Sequence, residues 1–87
     1  MDEFRVWRGH PANQLLELRR RVPYKDQPVQ VWAAWFERQA ELWDAVALID
    51  PWQTDTAAFV GEYLRRTAKE MLEQYRPHEK WPGAASW

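Results

Sequence analysis

The sequence contains no cysteine. That excludes a disulfide framework, a thiolate nucleophile and any sulfur-ligated zinc. Serine occurs once, at Ser86 beside the C-terminus, where little can hold a nucleophile rigid. Histidine occurs only at His10 and His78, in the two irregular ends, and no H-x₃-H or H-E-x-x-H spacing assembles a metal site. The three glycines are scattered at Gly9, Gly61 and Gly83, so no glycine-rich loop can cradle a phosphate. Carboxylates do pair on helical faces, Glu37 with Glu41 and Glu70 with Glu73. Arg38, Arg66 and Lys69 interleave with them, and Glu62 precedes Arg66 in the favoured i,i+4 orientation. These are solvated, salt-laced faces. Nothing remains from which to build an active site, so the chain reads as a non-enzyme without cofactor or metal.

A surplus of one charge is also missing. Twelve Lys and Arg face 13 Asp and Glu, a net of −1, and polyanions are bound through clustered cations that release counterions. No apolar run approaches the roughly 18 residues of a membrane span, and nothing resembles a signal peptide. A soluble cytoplasmic protein is the expectation. Eighty-seven residues leave room for one domain, which hides only about 60–65% of its unfolded surface and is marginal without staples.

The abundant residues are tryptophan and arginine. Seven Trp in 87 residues is several times ordinary usage, while 46% hydrophobic content is unexceptional. Each aromatic ring buries roughly 150–250 Å², so the Trp excess reads first as core-building. Nine Arg stand against three Lys, and Asn13, Ile49 and Ser86 are each the sole residue of their kind. That bias towards amino acids with GC-rich codons suggests a high-GC bacterium or one of its phages or plasmids.

Punctuation divides the chain into an N-terminal arm over 1–10, a helical domain over 11–76 and a Pro/Gly/Trp tail over 77–87. The arm alternates weakly (Phe4 and Val6 against Arg5 and Trp7) and amounts to an edge strand at best. Pro11 opens a first helix, about 11–22, with Leu15, Leu18 and Val22 on one stripe. Pro23 ends it, Asp26 can cap the next, and a second helix runs about 27–49 to Asp50-Pro51. At about 100° per residue, Trp32, Trp35, Phe36, Leu42, Trp43, Val46 and Ile49 fall within an arc nearly 160° wide, suited to a central helix with two neighbours. Gln39 sits in that arc and needs a partner for its amide. Thr54 or Asp55 caps a third helix, about 54–76, with Val60, Leu64, Ala68, Met71, Leu72 and Tyr75 as its core stripe. Gly inside a helix costs about 1 kcal/mol, so Gly61 predicts an indole lying over the Ala57–Gly61–Ala68 track, from Trp35 or Trp43. The tail reads as irregular. The fold class is all-α, a small three-helix bundle with an N-terminal arm and an irregular C-terminal tail.

Two functions compete. A helix-turn-helix-like DNA-binding regulator would read DNA with the third helix, but Asp55 and Glu62 there oppose Arg65, Arg66 and Lys69. Arg19, Arg20 and Arg21 point about 100° apart, wrap the first helix and meet the negative end of its dipole. A protein-binding module fits better. Phe59 projects about 160° from the centre of the third helix's stripe, Tyr63 follows one turn later and Arg66 is adjacent. Aromatics and Arg are what interface centres are made of. Trp7 in the arm and Trp81 and Trp87 in the tail complete the candidate set, unless they staple onto the bundle. The expected partner is another protein, or a second copy in a homodimer, and neither nucleic acid nor membrane. A phage or plasmid product that modulates a host protein is the role that fits the composition.

Overall fold

The computed structural model describes residues 9–87, so the expected arm, with Phe4, Val6 and the candidate Trp7, lies outside the described residues apart from Gly9 and His10. Three α-helices follow: α1 (Pro11–Arg20), α2 (Val29–Ile49) and α3 (Thr54–Gln74). The molecule is an all-α bundle with α2 at its centre. α1 and α3 each pack on α2, and their backbones do not approach one another. The wide apolar arc of α2 is thereby explained, because one helix serves two neighbours.

Local chemistry sets most boundaries. His10 caps α1, its Nδ1 accepting the Ala12 N–H at 3.1 Å, and Pro11 takes the first-turn position where no amide is needed. α1 stops at Arg20, two residues before the expected end, because Pro23 disfavours helical geometry at Val22. Val22 therefore leaves the stripe and is 42% exposed. α3 also ends two residues early, at an extended Tyr75. At its start, neither Thr54 nor Asp55 is the cap. Asp50 Oδ1 accepts the Trp52 N–H at 3.1 Å, a 3₁₀ turn spans Pro51–Gln53, and the Thr54 hydroxyl donates back to the Pro51 carbonyl at 2.8 Å. Asp55 still places its charge in the positive first turn.

The start of α2 overturns one expectation. Asp26 does not cap it, and Pro28 occupies the cap position without a side-chain bond. The orphan amides are satisfied from the far end of the chain. Val29 N–H donates to the Glu79 carbonyl at 2.7 Å and Gln30 N–H to the Pro77 carbonyl at 3.0 Å, next to an antiparallel bridge between Pro28 and Lys80. The tail that the sequence marks as irregular is accordingly ordered. It ends in a 3₁₀ segment, Pro82–Ser86, whose Ala84 is buried. Gly83 permits this, since a Cβ there would overlap the Trp81 indole.

The core joins Val29, Trp32, Ala33, Trp35, Phe36 and Ala40 of α2 to Leu64, Ala68 and Met71 of α3 and Ala84 of the tail. Gly61 is buried, yet no indole covers it. A Cβ there would meet the Arg65 guanidinium at 3.4 Å and the Asp44 carboxylate at 3.8 Å. Both expected donors sit on the α1 side instead. Trp35 donates its Nε1–H to the Leu18 carbonyl at 2.9 Å, and Trp43 lines a cleft with Leu15 and Leu16. An Arg65–Asp44 ion pair crosses the track in their place. Three further side chains depart from expectation: Ile49 and Leu72 are exposed, and the Gln39 amide nitrogen is buried with no partner among the described residues.

Candidate protein-binding surface

Helical periodicity alone places Phe59 and Tyr63 on the outer side of α3, since Val60, Gly61, Leu64 and Ala68 turn inward. Phe59 keeps 76% of its surface and Tyr63 keeps 55%. The turn at Trp52 does not cover Phe59, because Trp52 is itself 93% exposed. The Tyr63 carbonyl accepts the Thr67 hydroxyl at 2.8 Å, so the backbone beneath the ring stays helical. Arg66 lies beside this pair with its Nη2 on Glu62 Oε1 at 2.8 Å, both side chains solvent-exposed.

The charges on α3 are largely matched. Arg65 reaches across to Asp44 on α2, and Lys69 stands 4.0 Å from Glu73. The hydrogen bond that Arg65 donates to the Asp44 carboxylate raises its pKa further, so this guanidinium stays charged at any ordinary pH. Such exposed pairs contribute about 0–1 kcal/mol each, enough to orient side chains but little more.

The tail candidates are brought together elsewhere. Trp81 is partly buried, its ring 5.1 Å from Trp32 and 5.8 Å from Phe36 between centroids. Trp87 lies 5.6 Å from Trp35 and 5.2 Å from Phe36, and keeps 52% of its surface. Both rings therefore staple the tail to α2, and only Trp87 still offers area to a partner. Neither belongs to the Phe59–Tyr63 pair. Trp7 lies outside the described residues.

Three exposed apolar side chains stand at the α2–α3 corner: Leu48, 87% exposed, Trp52, and Ile49, which the helical arc had placed in the core. The signal for Leu48 was present, since it projects about 170° from the centre of the α2 stripe on a 100° wheel. Ile49 is the last residue of α2, where the helix no longer has a neighbour to cover it.

Among the described residues, no group of three or more His, Asp or Glu could hold a metal ion. No described helix is long and apolar enough to cross a membrane. His78 and Ser86 are exposed. Comparison with protein-family models, with curated proteins and with solved structures finds no match to the chain.

Proposed function

We propose that the chain is a small non-catalytic module that binds another protein through the outer face of α3, with Phe59 and Tyr63 as anchors and Arg66 as the polar contact beside them. One observation carries this reading: Phe59 and Tyr63 stand one turn apart on α3 with 76% and 55% of their surface exposed, a paired aromatic patch on a helix, whereas the exposed Trp52 and Tyr24 sit singly in connections. At about 25 cal/mol per Å², roughly 150 Å² of uncovered ring forgoes about 4 kcal/mol of burial, a large sum for a marginal chain. A partner that covers the pair recovers it. The matched charges of α3 support this reading over DNA binding, because Arg65, Arg66 and Lys69 already face carboxylates. The arginine-rich, lysine-poor composition supports an origin in a high-GC bacterium or one of its phages or plasmids, and modulation of a host protein in the cytoplasm is the role proposed with it.

The test separates binding from folding. Phe59→Ala, Tyr63→Ala and Arg66→Ala should each hold the melting temperature within a few degrees, since each side chain is mostly exposed and lies outside the core cluster. Used as baits in a high-GC bacterial lysate, the wild type should retain a stoichiometric protein that the variants lose, with a cost of about 2 kcal/mol or more in affinity. Light scattering on the same samples reads the alternative that the partner is a second copy. Unfolding by Phe59→Ala, or equal retention by wild type and all three variants, overturns the assignment.

A further inference from the structure

An open groove lies between the end of α1, the connection that follows it and the first half of α2. It measures about 820 Å³. Leu18, Val31, Ala34 and the edge of Trp35 form an apolar floor, and Tyr24, 79% exposed, stands over it. Arg20, Arg21 and Arg38 complete the lining, which contains no carboxylate. Arg38 holds Glu41 at 2.9 Å outside the groove, whereas the side chains of Arg20 and Arg21 have no ion pair among the described residues. Arg38 is balanced by Glu41, and Glu17 shares a neighbouring cleft with Arg21 and Arg38, so in a chain of net charge −1 the groove's local excess of cation rests on Arg20 and Arg21.

The helix dipole accounts for Arg20, which sits in the last turn of α1. It does not account for Arg38, near the middle of another helix, or for the exposed Tyr24. What the three arginines share is the groove. Guanidinium forks bind carboxylates bidentately, and Arg and Tyr are enriched where interfaces concentrate their energy.

We propose that this groove docks an acidic segment of a partner protein, with carboxylates on Arg20, Arg21 and Arg38 and an intervening apolar side chain on the Trp35–Ala34 floor. No α3 residue lines it, so it is separate from the Phe59–Tyr63 surface, and either can fail without the other. An acidic peptide is favoured over a nucleic-acid strand because Tyr24 is the only exposed aromatic ring along the groove, too few for successive bases to stack on.

The probe is a capped peptide of about ten residues alternating glutamate with leucine, titrated into the ¹⁵N-labelled full chain, beside the same peptide with lysine for glutamate. The acidic peptide should shift the amides of Arg20, Arg21, Tyr24, Val31 and Arg38. Raising salt from about 50 to about 300 mM should weaken the effect severalfold, because exposed charges are screened beyond about 8–10 Å. Arg21→Glu with Arg38→Glu should abolish the shifts while the rest of the spectrum stays folded, and Tyr24→Ala should weaken them. The proposal is overturned by silence of these amides at millimolar peptide, by an equal response to the lysine peptide or in the double variant, or by a stronger response to a short single-stranded DNA.

Discussion

Replacing Gly83 by alanine sets two physical effects of opposite sign against each other. No described residue has a positive φ, so alanine meets no backbone strain at this position. On backbone grounds it should stabilise by about 0.4–1 kcal/mol, because it narrows the unfolded ensemble. The new methyl, however, would occupy space held by the six-membered ring of Trp81. That ring packs on Trp32 and Phe36, so it cannot retreat inward. Overpacking costs about 1–3 kcal/mol, and Trp81, being only partly buried, can swing outward and limit the loss to about 1–2. The balance is a net loss near 1 kcal/mol, which for a domain of this size lowers the melting temperature by about 4–8 °C. Thermal unfolding followed by far-ultraviolet circular dichroism reads it directly. Trp81→Leu removes the ring that the methyl would strike, so the double variant should show a coupling of about 0.5–1 kcal/mol rather than additive losses. A rise in melting temperature with Gly83→Ala, or simple additivity in the double variant, would refute the packing of the tail on α2.

Gly61→Ala should do the opposite. Its Cβ would meet only side-chain tips at ordinary contact distance, Arg65 at 3.4 Å and Asp44 at 3.8 Å, so the helical preference for alanine should raise stability by roughly 0.5–1 kcal/mol in urea unfolding. A loss of 1 kcal/mol or more would show that the Arg65–Asp44 pair cannot shift. Gln39→Met keeps the volume of a buried side chain and removes an amide nitrogen with no partner among the described residues, so it should raise stability by about 1–3 kcal/mol. Destabilisation there would show that the amide is hydrogen-bonded in solution.

The helices were legible because prolines and polar caps bracket them, and these act within a few residues. Pro11 and Asp50-Pro51 mark real ends. What stayed hidden depends on chain segments far apart in sequence. The cap of α2 is the clearest case. Asp26 has the right chemistry two residues too early, while the carbonyls of Pro77 and Glu79 arrive from nearly fifty residues away. A carbonyl has no side-chain signature, so composition cannot reveal such a cap. Gly61 failed for a related reason. Its spacing marked a close approach correctly, but the identity of the crossing group depended on which part of the α2 arc faces α3. Trp35 and Trp43 face α1, and Asp44 brings an ion pair to the crossing instead.

The candidate surfaces differ in legibility for the same physical reason. Phe59 and Tyr63 belong to one helix, so a 100° wheel separates them from the core stripe without any tertiary knowledge. The arginine groove takes Arg20 and Arg21 from the end of α1, Tyr24 from a connection and Arg38 from α2, and α1 had to stop at Arg20 for the two neighbours to share it. Read along a continuous helix, those arginines diverge. The tryptophans divide likewise. Trp32, Trp35, Trp81 and Trp87 contact one another or Phe36 and hold the C-terminal tail against α2. That network does the work of the missing cysteines, closing the tail onto the bundle by ring contacts rather than a covalent bond. Of the stapling rings only Trp87 keeps half of its surface, and on α3 the exposed Phe59 and Tyr63, which lie outside the core cluster, are the anchors proposed for a partner.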